Sequence, residues 1–150
     1  MDIGDVAADF ELKDQTGTTR SLSELCSTGP VVLFFYPAAM TKGCTTESCH
    51  FRDLAKEFTE VGAQRVGISL DSVEKQKAFS DLHGFDYPLL ADTEGVVARQ
   101  FGVKRAISLL KTKRSTFVLD TDRTVLGRFT SELNMEAHAD QALQLLRSRR

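Results

Sequence analysis

The unbroken run Val31-Val32-Leu33-Phe34-Phe35-Tyr36 leaves this chain little choice of architecture. It has no polar residue at alternate places, so it reads as a strand covered on both faces, central in the sheet of an α/β protein. Arg65 to Leu70 and Ser115 to Asp120 read as further strands, and Asp120-Thr121-Asp122-Arg123 turns the latter into Thr124 to Phe129 as a hairpin. Between the first two strands Phe51, Leu54, Phe58 and Val61 recur at three and four, which predicts a helix from Thr45 to Val61 that Gly62 stops. Asp71 or Ser72 can cap a helix through Phe79 and Leu82 to Gly84. Tyr87 to Leu90 reads as a short extended piece, and Val96, Val97 and Phe101 as a short helix ended by Gly102. Ala139, Ala142, Leu143 and Leu146 define a last helix with Asn134 as N-cap. Before all of these, two short segments between Phe10 and Leu22 flank Asp14-Gln15-Thr16-Gly17 as an N-terminal hairpin.

At 150 residues without repeat, linker or low-complexity tract, the chain reads as a single domain, 1–150, able to bury a core without staples. Three cysteines, Cys26, Cys44 and Cys49, are too few for a secreted disulfide framework and point to thiols working in a reducing compartment. The acidic start shows no secretory signal and the apolar run at Val31 is too short to span a bilayer, so the expected location is cytoplasmic. A net charge of −2 gives no general attraction for nucleic acid or a membrane. Lys104, Arg105, Lys111 and Lys113, with Arg147, Arg149 and Arg150, read as a solvated basic surface. His50, His83 and His138 lack metal-ligand spacing, and phosphate-loop, dinucleotide and Cys-x-x-Cys signatures are absent, so neither metal nor cofactor is expected.

Cys44 lies where the central strand gives way to a helix. There the exposed amides of the first turn favour a thiolate, the form of cysteine that reacts. Thr41, three residues earlier, can hydrogen-bond the sulfur or a bound substrate, or cap the helix; Pro37 can shield the pocket wall or merely end the strand. Cys49 follows five residues after Cys44, a rotation of about 140° and a rise of about 7.5 Å that set their Cα atoms roughly 8–9 Å apart. A disulfide needs less than about 7 Å, so a regular helix keeps the two thiols apart. Cys26, in a loop before the central strand, belongs to no motif and reads as a small semi-buried hydrophobe.

The pattern Pro37-x-x-x-Thr41-x-x-Cys44 with Cys49 beyond it resembles the peroxiredoxins, and within them the bacterioferritin comigratory protein or Q type. The resemblance extends through Gly4-Asp5-x-Ala7-x-Asp9-Phe10, Tyr87-Pro88-Leu89-Leu90-Ala91-Asp92, Phe101-Gly102-Val103 and Arg114-Ser115-Thr116-Phe117. It implies a thioredoxin-like α/β fold with an N-terminal β-hairpin and an inserted helix, and a thiol peroxidase reducing hydrogen peroxide and organic hydroperoxides. On that resemblance Cys44 is the peroxidatic cysteine, Thr41 orients the peroxide, Pro37 forms the wall and Arg114 stabilises thiolate and substrate. Glu47 pairs with Arg114, or is an ordinary first-turn carboxylate. Cys49 would resolve the oxidised Cys44 once the helix start unwinds, or is an inert helical cysteine, and thioredoxin or a similar dithiol would regenerate the enzyme, a monomer or weak homodimer. A general thiol–disulfide oxidoreductase and a redox-regulated holdase on the same fold are the competing readings. Two departures stand out: Lys42 occupies a place often held by Pro, and Lys104 to Lys113 lacks the aromatic residues common there.

Overall fold

The computed structural model describes residues 1–104, 113–131 and 134–149. Arg105, Lys111 and Arg150 of the expected basic surface, and most of the segment from Lys104 to Lys113, lie outside the described residues. In chain order the elements are β1 (Glu11–Lys13), β2 (Thr19–Ser21), α1 (Leu22–Leu25), β3 (Val31–Phe35), α2 (Lys42–Asp53), α3 (Ala55–Glu60), β4 (Gln64–Ser69), α4 (Val73–His83), β5 (Leu89–Ala91), α5 (Val96–Gln100), β6 (Ser115–Leu119), β7 (Val125–Thr130) and α6 (Ala137–Ser148). Among the described residues the strands form one sheet in the order β2-β1-β5-β4-β3-β6-β7. β3 runs parallel to β4 and antiparallel to β6, and every one of its residues is buried. This is the doubly covered strand its sequence requires.

Alternation along β3 divides the core in two. Val31, Leu33 and Phe35 pack with α1, α5 and Phe101 under one face, and Val32, Phe34 and Tyr36 pack with α2, α3, α4 and α6 under the other. Phe34 stacks on Phe51 of α2 with ring centroids 4.1 Å apart, which fixes that helix against the end of β3. Cys26 falls in the first core and Cys44 in the second, so the sheet stands between them.

The N-terminal hairpin, the strand order of the chain and the helix ended by Gly84 in the left-handed conformation all match expectation. Some boundaries differ. The helix expected from Thr45 to Val61 begins earlier, at Lys42, and breaks at Leu54, where φ is −95° and ψ 20°. Arg65, itself buried, donates from Nη1 to the Phe51 carbonyl at 2.8 Å and so satisfies an acceptor of the last turn of α2 without a continuing helix. Phe51 and Phe58 both reach the core on either side of the break, while Leu54 is only half-buried. At α6 the cap position is Glu136, although the Asn134 side chain does accept the Ala137 N–H at 3.2 Å.

Candidate active site

The loop from Pro37 to Thr41 carries the chain from the end of β3 to the start of α2. A carboxylate from the next strand end anchors it: Asp71 Oδ2 accepts the Ala39 N–H at 2.7 Å and the Ser69 hydroxyl at 2.6 Å. Met40 takes φ of 70°, a conformation that a residue with a Cβ adopts only at some cost, so the surrounding contacts must hold it there. Pro37 is half-buried and Thr41 exposed. The Thr41 backbone stands at the N-cap, but its hydroxyl makes no cap bond and donates to the Ala38 carbonyl at 2.8 Å. That corrects the expectation of a side-chain cap.

Cys44 sits in the first turn of α2, fully buried. Arg114, which immediately precedes β6, extends its guanidinium beneath that turn. Nη2 donates to Cys44 Sγ at 3.2 Å and Nη1 to Glu47 Oε1 at 2.7 Å, and both side chains are buried. One planar cation thus spans a sulfur and a carboxylate on one face of the helix, as only a forked donor can. Burial works against the charge on Arg114, but Glu47 and Cys44 outweigh it and hold its pKa above the ordinary arginine value. Gly43 lets the guanidinium approach, since a Cβ there would lie 3.2 Å from Nη2 and 3.3 Å from Cε of Met135.

The remaining thiols have different surroundings. Cys49, half-buried on α2, is pushed up in pKa by burial, partly offset by Arg52. Cys26 is raised to about 11, chiefly by burial. All three cysteines are free. Thus Cys44, Glu47 and Arg114 converge, with Thr41 and Pro37 on the adjoining loop and Cys49 further along the helix. Arg114 is buried, whereas Lys113, Arg147 and Arg149 of the described basic surface are exposed and Lys104 is half-buried.

Sequence reasoning missed two contributors. Asp71 read only as one of two possible helix caps, and Ser72 is the residue that caps α4, accepting from the Lys75 N–H. His138 has no metal-ligand spacing, yet it lies four residues before Ala142 on the buried side of α6. A polar residue on that stripe was the available signal. Among the described residues no group of side chains suited to a metal ion occurs.

A cysteine at the start of the helix that follows the central strand is the build of a thiol-active protein on a thioredoxin-like sheet. Comparison with known proteins narrows the class. The chain belongs to the AhpC/TSA family, whose profile matches residues 3–127. A Mycobacterium tuberculosis protein named as a peroxiredoxin is 65% identical over 150 residues, covering 99% of this chain and 97% of the relative. The crystal structure of peroxidoxin BcpB from Mycobacterium tuberculosis superposes with a TM-score of 0.97 at 64% identity, covering 100% of this chain and 99% of that one. The bacterioferritin comigratory protein of Xanthomonas campestris, described for alkyl peroxide reduction, superposes at 0.86 with 32% identity, over 93% of this chain and 91% of that one. Within the family these similarities put the chain in the peroxiredoxin Q and bacterioferritin comigratory protein group, a thiol-dependent peroxidase. The oxidoreductase and holdase readings are not favoured.

Proposed function

We propose that Cys44 is the nucleophile of this peroxidase and that Cys49 resolves it within the same chain. The thiolate attacks one peroxide oxygen; the S–O bond forms as the O–O bond breaks, and the departing oxygen leaves as water or an alcohol after taking up a proton. Arg114 favours the anionic sulfur and can hold the peroxide, Glu47 aims Arg114, Thr41 presents a hydroxyl at the loop, and Pro37 supplies a wall without an N–H. The observation that carries this reading is the Arg114 guanidinium shared between Cys44 Sγ and Glu47. Cys49 then displaces water from the sulfenic acid to form a disulfide, and thioredoxin or a similar dithiol reduces that bond.

Hydrogen peroxide and organic hydroperoxides are both substrates on this reading, and the alkyl peroxide chemistry of the Xanthomonas relative supports the second. The chain works as one domain, a monomer or weak homodimer, in the cytoplasm, with no cofactor. No helix among the described residues is long and apolar enough to cross a membrane. Stopped-flow kinetics with Cys44→Ser test the assignment. The variant should stay folded and lose peroxide reduction; a rate within about tenfold of wild type, a barrier change near 1.4 kcal/mol, refutes it.

A further inference from the structure

We infer that His138 is a positioning residue for the peroxide step, holding Glu47 in the orientation from which that carboxylate aims Arg114 at the Cys44 sulfur. The inference rests on the roles proposed above for Cys44 and Arg114. His138 belongs to α6, and its side chain, like that of Glu47, is wholly excluded from solvent. Its Nε2 stands 2.9 Å from the Ser131 carbonyl oxygen. A carbonyl only accepts, so Nε2 carries a hydrogen. Its Nδ1 lies 2.8 Å from the hydroxyl of Thr116 and 3.6 Å from Glu47 Oε2.

Each contact belongs to a different part of the site. Thr116 lies on β6 two residues after Arg114, Glu47 lies on α2 one turn after Cys44, and Ser131 follows the end of β7. One imidazole therefore ties together the strand that delivers the guanidinium and the helix that delivers the sulfur. The terminal torsion of a glutamate is soft, so Oε1 alone does not fix the plane of the carboxylate. The ring beside Oε2 adds a constraint on that plane. At 3.6 Å the contact is too long for a hydrogen bond, but it sets the polar Nδ1 edge of the ring beside Oε2 while Nη1 of Arg114 bonds Oε1. Rotation of Glu47 would draw Nη1 of Arg114 with it and take Nη2 away from the sulfur.

Three substitutions separate positioning from simple support of the fold. His138→Gln keeps a donor able to reach Ser131 but has nothing at the Nδ1 place; His138→Asn keeps a polar atom at the Nδ1 place and loses the Ser131 bond; His138→Leu loses both. Stopped-flow rates of Cys44 oxidation, rates of Cys44–Cys49 bond formation and melting temperatures are measured together. Gln and Leu should slow oxidation about tenfold or more and leave disulfide formation within about twofold, while Asn recovers oxidation to within about threefold. Gln at the wild-type rate, or Asn as slow as Leu, overturns the inference. Should Gln and Leu fail to fold, Thr116→Val decides: slowing of several-fold supports the role of the ring and an unchanged rate overturns it. Wild-type protein that does not oxidise at Cys44 would refute the underlying reading, whereas normal oxidation in both wild type and His138→Gln refutes this step alone.

Discussion

Nη2 of Arg114 lies 3.2 Å from Sγ of Cys44, although 70 residues separate them in the chain. The register of the sheet brings them together. β3 and β6 pair with Phe35 opposite Ser115, so the residue just before β6 and the helix after β3 meet at the same end of the paired strands. Neither side chain needs a long loop to reach the other.

Removing the guanidinium should therefore cost activity and stability together. Arg114→Ala is expected to slow the peroxide step and the alkylation of Cys44 at neutral pH by at least about tenfold. Because it removes the guanidinium bonded to the buried Glu47, it should also lower the unfolding free energy by about 3 kcal/mol, read from urea melts. Peroxide and alkylation rates equal to wild type would remove Arg114 from the site.

Asp71 offers a test of the loop by itself. Asp71→Ala takes the acceptor from the Ala39 N–H and from the Ser69 hydroxyl, at a cost of about 1–3 kcal/mol. The peroxide step should slow because Met40 and Thr41 lose the anchor that holds their backbone. A variant that melts earlier yet reacts with peroxide at the wild-type rate would show the anchor to be structural only.

Cys26 sets a pH dependence that does not touch the chemistry. Its thiol is raised from an ordinary value of 9.0 to about 11, chiefly by burial. Below pH 9 both folded and unfolded chains hold the proton, so the group has no effect. Between about 9 and 11 the unfolded chain releases it while the folded chain retains it, and stability falls as pH rises. Cys26→Ala should lack this component of the alkaline decline in urea melts between pH 8 and 11, and should turn over normally with a dithiol reductant. A variant that stalls after one oxidation would instead make Cys26 the resolving residue.

Forming a bond between Cys44 and Cys49 requires the start of α2 to unwind, and the break at Leu54 gives the unwinding a natural limit. Amide exchange should rise on oxidation between about Thr41 and Arg52 and stay low in α3, where Phe58 remains in the core. Cys49→Ser should abolish the change and stop dithiol-driven turnover while leaving the first oxidation nearly intact. Peptide mapping that finds the bond without added exchange would refute the unwinding; a bond between two chains would move resolution to a partner copy.

How much of this the sequence revealed depended on whether a feature is local. β3 was legible because its own residues have no polar side, and Gly84 marked its helix end for the same local reason. Arg114 and Glu47 were reachable through a motif, since the residues around each keep fixed spacing. The Asp71 anchor, the break at Leu54 and the place of His138 were not. Each depends on a partner far along the chain: Ala39 for Asp71, Arg65 for the Phe51 carbonyl, Thr116 and Glu47 for the ring. Helical periodicity alone joins α2 and α3, because Phe51 and Phe58 suit one continuous stripe; the arginine reaching from β4 to the Phe51 carbonyl marks where the ladder ends between them.

The strand with no exposed side also bears on time. β3 and β6 form a paired, buried floor beneath α2, and nothing in the proposed cycle asks the floor to move. In that cycle, once a reductant opened the disulfide, α2 would re-form on an unchanged template. Helix relaxation of this kind takes about a microsecond or less, whereas exchange between thiols and disulfides is slower by many orders of magnitude. On the proposed cycle, refolding of the helix would therefore not show in the turnover rate, which exchange with the dithiol would limit.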